Sequence, residues 1–160
     1  MILAKIADFF SPSEEKKQAA ELYLACVERS RNSFFYEQGG VPDTLDGRFD
    51  VIVLHIFLEL QKIRQNKDKH QKTSLERALV ENFFADMDRN LREIGISDTG
   101  MTYRMKDIAS AFYGRLHAYS ESFADKNALK EVLKRNLYGS NTPDDAQLLA
   151  VLEKVITYPS

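Results

Sequence analysis

The sequence predicts an all-α fold: a single compact domain of six or seven helices around one central buried helix. Three observations carry that expectation. Helix-start signals recur along the chain. Apolar residues return every three or four positions, notably Met101, Met105, Ile108, Phe112, Leu116, Tyr119 and Phe123. The block 51–58, "VIVLHIFL", is apolar nearly all round, as a helix buried on several sides must be. A short buried strand is the competing reading of that block, but the pattern continues helically through Leu60 and Ile63, which favours the helix.

Residues 1–10, "MILAKIADFF", form an N-terminal amphipathic segment. It has neither the basic stretch and cleavage site of a secretion signal nor the Arg- and Ser-rich make-up of a transit peptide. It is far shorter than the roughly 20 residues a membrane span needs. Ile2, Leu3, Ile6, Phe9 and Phe10 suit docking onto the domain or weak contact with a membrane surface. In "SPSE", Ser11 reads as an N-cap, Pro12 as the first helical residue and Glu14 as the partner closing a capping box, opening a helix over 12–31. Gly39-Gly40 followed by Val41-Pro42 reads as a turn and an extended approach to the buried helix, 46–66. Thr73 and Glu76 of "TSLE" repeat the capping device, and the helix they open runs to Gly95 in a left-handed turn. The long apolar stripe occupies 99–124, a shorter helix 126–138 stops at Gly139, and Thr142, Pro143 and Asp145 open a last helix to Thr157.

A chain of 160 residues fits one domain, and 44% apolar with 29% charged residues is ordinary for a globular protein. A formal charge of −2 argues against DNA or general nucleic-acid binding. The one cysteine, Cys26, cannot form an intramolecular disulfide, which suits a reducing, cytoplasmic compartment. Set in the apolar run 22–27, it reads as a small buried hydrophobe.

Candidate chemistry is thin. Asp43, Asp46 and Asp50 lack the alternate spacing and closing glutamate of a calcium loop, so Asp43, Thr44 and Asp46 read as caps and first-turn acids. His55 with Glu59, and His117 with Glu121, each share a helical face. The Glu-x-x-His pairs of a di-metal bundle occur nowhere, and His55 reads as a hydrogen-bonded core histidine. No nucleophile elbow or phosphate-cradling loop is present. The expectation is therefore no catalytic residue, no metal and no cofactor. Asp86 and Asp88, two apart, point to different faces and read as polar groups in helix packing, while Arg48, Arg89, Arg92 and Arg115 with Asp43, Asp46 and Asp50 read as paired charges and caps where helices meet. Two basic features remain. Lys62, Arg64, Lys67, Lys69 and Lys72 fall in "KIRQNKDKHQK", expected as a loop, and Lys126, Lys130 and Lys134 form one helical stripe. Both suit either a solvated surface or contact with phosphate, whether ribosomal RNA or anionic lipid.

Four segments, "GVPDTLDGRFDVIVLHIFL", "FFADMDRNLREIGISD", "AFYGRLHAY" and "LKRNLYG", closely resemble the ubiquinol–cytochrome c chaperone family, in the family's order. The resemblance implies an all-helical protein that is not an enzyme and helps assemble the cytochrome bc complex, respiratory complex III. It implies cytochrome b as partner, held as a new chain until haem is in place. In mitochondrial members it brings a small partner chaperone and the ribosome. The lack of a presequence resembles a bacterial member, working in the cytoplasm or at the inner face of the inner membrane.

Such a role asks for exposed apolar surface, which folded monomers seldom leave in large patches without a use. The sequence reading places a client-binding hydrophobic cleft beside the buried helix. Its expected lining is Phe34, Phe35, Tyr36, Val41, Leu45 and Phe49, joined by Met101, Met105, Phe112 and Tyr113. Methionine refits readily to varied apolar shapes.

Overall fold

The apolar block becomes the axis of the molecule. The computed structural model describes residues 13–158. Among these it has seven helices and no strand: α1 Glu14–Ser30, α2 Phe34–Glu37, α3 Leu45–Arg64, α4 Lys69–Glu93, α5 Asp98–Ser122, α6 Lys126–Tyr138 and α7 Asp145–Ile156. The N-terminal amphipathic segment and the Ser11–Pro12 cap lie outside the described residues.

Helix α3 divides the interior into two half-cores. Val51, Leu54, Phe57 and Leu58 pack with Leu129, Leu133 and Leu137 of α6 and with Leu148, Val151, Leu152 and Val155 of α7. Val53, Ile56, Leu60 and Ile63 pack with Tyr23 and Cys26 of α1, with Leu75, Leu79 and Phe83 of α4 and with Phe112 of α5. A helix whose neighbours lie on both sides must be apolar on both sides, which is what the block 51–58 encodes.

Local chemistry sets the boundaries. Thr44 caps α3 through its hydroxyl, accepting from Gly47 N at 3.1 Å. A Cβ at Gly47 would sit 1.9 Å from the Pro42 carbonyl oxygen, so only glycine lets the Val-Pro approach fold this closely against the first turn. Gly40 has φ +67. A side chain there would strike Gln147, and one on Gly39 would meet Phe35 O and Val151. The Gly-Gly turn is thus pressed against α7. Gly95, with φ +86, ends the α4 segment in the expected left-handed turn.

The first described helix is capped by Ser13, which accepts from Lys16 N at 3.3 Å. Two caps, those of α4 and α7, differ from expectation. Helix α4 starts at Lys69 under Asp68, whose carboxylate accepts from His70 N and Gln71 N. Thr73 is already inside it and bonds back to Lys69 O. The last helix is capped by Asp144 with Gln147 in a reciprocal box. In each case another hydroxyl or carboxylate near the expected cap is better placed, since N-capping accepts Ser, Thr or Asp with similar strength. The four-residue α2, beneath the Gly-Gly turn, was not foreseen. One turn is too short to show periodicity.

Candidate functional site

Helices α3, α4 and α5 leave between them an open groove of about 710 Å³. Its lining follows helical spacing: Phe57, Leu60 and Arg64 from α3, Arg77, Val80, Glu81 and Phe84 from α4, and Tyr113, Leu116, His117 and Ser120 from α5. Each wall is therefore one stripe of side chains three or four residues apart. Behind it stand stacked aromatics. Phe83 lies parallel to Phe112 at 4.6 Å, and Phe84 meets Phe112 edge-on at 5.3 Å and Tyr113 at 6.0 Å. Such offset and edge geometries suit the ring quadrupoles and hold the wall rigid. Arg64 Nε donates to Glu76 Oε1 at 3.0 Å at the rim. The arrangement presents an aromatic trough edged by charge, with no assembled nucleophile or acid–base pair.

Of the ten residues expected to line one cleft, only Tyr113, 54% exposed, borders this groove. Phe35, Val41, Met101 and Phe112 are buried, which corrects the expectation that they face outward. Phe35 and Val41 belong to one half-core and Phe112 to the other, so the set is not contiguous. Phe34 and Tyr36 pack partly buried against the first half-core, and Tyr36 donates to Ser30 O at 2.6 Å. Phe49 is half-buried between Phe83 and the Arg115 guanidinium. Met105 is half-buried, and Leu45 stands alone in solvent at the start of α3. Val80 and Phe84 were the residues missed. The signal was present in "FF", because neighbours on a helix lie about 100° apart and only one of the pair can face the core.

The basic set is also divided. Lys62 approaches Glu59 at 3.5 Å and Arg64 pairs with Glu76, while Lys69 and Lys72 belong to the first turn of α4 rather than to a loop. Lys67 lies in the short connection 65–68. In the other stripe, Lys126 pairs with Glu153 and Lys130 with Asp145, fastening α6 to α7.

A second, more polar recess of about 310 Å³ lies on another face of α3, lined by Arg29, Asn32, Phe35, His55, Leu58, Lys154, Val155, Thr157 and Tyr158. Beneath it, outside the lining, lies the buried carboxylate of Glu59, held by two of the lining residues. Arg29 Nη1 donates to it at 2.6 Å and Tyr158 Oη at 2.9 Å. Arg29 and Lys62 also lie against the Tyr158 ring. His55 Nδ1 stands 2.8 Å from Val51 O; an amide carbonyl only accepts, so Nδ1 carries the proton. Burial pushes the imidazole down to about 4, so it is neutral near pH 7. Burial likewise lifts the Cys26 thiol to about 12, an inert interior thiol.

Of the arginines expected to pair with the opening-loop aspartates, Arg48 and Arg115 do, while Arg89 and Arg92 pair with other acids. Arg48 Nε donates to Asp43 at 2.6 Å, Asp86 accepts from Tyr23 at 2.5 Å and also pairs with Arg89, and Arg92 bridges Asp88 and Asp98. Asp50 is not a cap. It is buried against Arg115 of α5, Oδ1 to Nε 2.5 Å, in a close ionic contact rather than a well-aligned hydrogen bond. Burial raises its carboxyl to about 6, opposed by the Arg115 charge. Among the described residues no group of three or more His, Cys, Asp and Glu is arranged to hold a metal, and no helix is long and apolar enough to cross a membrane.

These features sit within a known architecture. A model of the ubiquinol-cytochrome C chaperone family matches residues 37–158, which include α3, the whole lining of the groove and all of the recess lining except Arg29, Asn32 and Phe35. The chain belongs to that family. It is similar to ubiquinol-cytochrome-c reductase complex assembly factor 1 of Xenopus laevis, 28% identical over 88% of this chain and 70% of the frog protein. Protein CBP3, mitochondrial, of Saccharomyces cerevisiae is 29% identical over 78% of this chain but only 37% of its own length. The human assembly factor is 23% identical, and the match covers 91% of this chain and 48% of that protein. The chain thus spans about half or less of the human and yeast relatives. Among solved structures, the Cbp3 homolog from Brucella abortus superposes with TM-score 0.73 at 31% identity, covering all of this chain and 91% of that one.

Proposed function

We propose that this protein is an assembly chaperone for ubiquinol–cytochrome c reductase, and that it holds newly made cytochrome b through the groove between α3, α4 and α5. It is not an enzyme in this reading. The observation that carries the proposal is the aromatic trough itself, open to solvent on a chain whose family and relatives bear complex III assembly names. Cytochrome b is a bundle of apolar helices, and a nascent helix presents residues three and four apart, the same spacing as the groove's walls. Each 100 Å² of apolar surface buried yields about 2.5 kcal/mol before the costs of association, so a groove of this size favours weak, reversible holding. Tyr113, half exposed with a polar tip, sits at the boundary between trough and water.

The test is a deletion strain carrying either the parent gene or groove variants, scored for complex III content and for cytochrome b co-purified with the chaperone. Tyr113→Asp and Val80→Asp, each checked for an intact helical spectrum, are expected to lose most of both signals. Normal complex III with either folded variant would remove the groove from the mechanism. Loss of complex III with cytochrome b still bound would move the defect to a later assembly step.

A further inference from the structure

The recess beside His55 has unmet binding capacity that the groove does not explain. His55 is 3% exposed, and the Nδ1–Val51 bond leaves the Nε2 lone pair as an acceptor without a protein donor. Nε2 is therefore free to accept from a donor that enters the recess. The residues lining the recess include two cations, Arg29 and Lys154, and no acid. The carboxylate beneath it, Glu59, is already held by Arg29 and Lys62. Only Nη1 of Arg29 is used, by Glu59 and Tyr158, which leaves its other N–H groups uncommitted among the described residues. Lys154 lies over the Phe34 ring and makes no ion pair among the described residues. Asn32 spends its carbonyl on Phe34 N, leaving its amide hydrogens spare. Phe35, Leu58 and Val155 supply apolar wall.

We infer that this recess binds the C-terminal end of an apolar peptide. A chain terminus offers three groups in one short unit: a carboxylate for Arg29 and Lys154, a final backbone N–H for His55 Nε2, and an apolar last side chain for Phe35, Leu58 and Val155. A free amino acid would set an ammonium beside two cations. A phosphate ester at neutral pH supplies charge but little apolar contact. The volume, about 310 Å³, is at the small end for ligand pockets and suits a terminus rather than a folded surface.

The site is independent of the groove, because its α3 residues, His55 and Leu58, lie on a different stripe from Phe57, Leu60 and Arg64. The experiment is calorimetric titration of the full chain with N-acetyl-Leu-Phe as free acid, the same dipeptide as C-terminal amide, and 3-phenylpropanoate. The free acid is expected to bind, the amide at least about tenfold more weakly, and binding to perturb the His55 imidazole nitrogen resonances. A tenfold loss corresponds to about 1.4 kcal/mol. Lys154→Met, at an exposed position that leaves the cores intact, is expected to cost the acid about the same factor. Tyr113→Asp is expected to leave it unchanged, which separates this site from the proposed client groove. Equal binding of acid and amide, or no saturable binding in the millimolar range, overturns the assignment. 3-Phenylpropanoate, which lacks the amide N–H, binding as tightly as the dipeptide would make the ligand a small carboxylate and reject a peptide end.

Discussion

The two flanks of α3 solve opposite problems with the same helix. Toward α4 and α5, Phe57 and Leu60 border an open trough, and the polar groups at its edge are mostly exposed. Toward α1 and the C-terminal segment, the flank closes over polar groups: His55 and Glu59 are each 3% exposed and bound by named partners. The open side keeps apolar surface near water, while the closed side keeps polarity away from it. Each is unfavourable in isolation. The comparison teaches that α3 is stable enough to carry both because its remaining faces are packed in two half-cores.

The contrast can be broken most severely at Phe57, which is 1% exposed and touches both Tyr119 and Phe123. Phe57→Ala is expected to cost about 3–5 kcal/mol in urea unfolding, whereas Tyr113→Ala across the same groove should cost well under half of that. Equal costs would mean that the trough is ordinary core. A sharper probe uses acid. Asp50 and His55 share α3 but titrate in opposite senses. With its folded pKa raised to about 6, Asp50 contributes stability that is present below its ordinary value of 3.8 and lost as pH rises through 6. His55, lowered to about 4, contributes stability that is present above its ordinary 6.5 and lost as pH falls through 4. Each is worth about 3 kcal/mol at most, so the two largely cancel across this window. Relative to the parent, Asp50→Asn is expected to make stability fall more steeply on acidification, and His55→Gln to make it rise. Parallel profiles for parent and both variants would refute this opposition. The smallest effect is at the lid of the closed flank: Tyr158→Phe removes a hydroxyl shared by Glu59 and Arg29, at an expected cost of about 1 kcal/mol in the same assay.

Most of the framework was legible in the sequence because helix chemistry is local. The block 51–58 had to be buried on all sides, and α6 ends at the glycine expected of it. The last cap slipped because Thr142 and Asp144 are chemically equivalent candidates separated by two residues. The groove was misplaced for a different reason. The aromatics of "FFYE" are apolar in composition, but whether Phe35 meets water depends on α6 and α7 arriving more than ninety residues later to cover it. Conversely, Phe84 lies on a helix whose core stripe was clear, yet which of two adjacent rings is left outside is settled only by the packing of α5. Charge pairing was partly readable: Asp43 with Arg48 is local, whereas Asp50 with Arg115 spans two helices and no sequence spacing announces it.

Tyr138 Oη donates to the carbonyl of Gly39 at 2.6 Å, ninety-nine positions back, and Tyr158 reaches Glu59 across the same interval. Both fastenings reach back ninety-nine positions to α3 or to the turn before it. On a ribosome, which releases a chain from its beginning, the turn leading into α3 therefore waits for its clasp until residue 138 has been made.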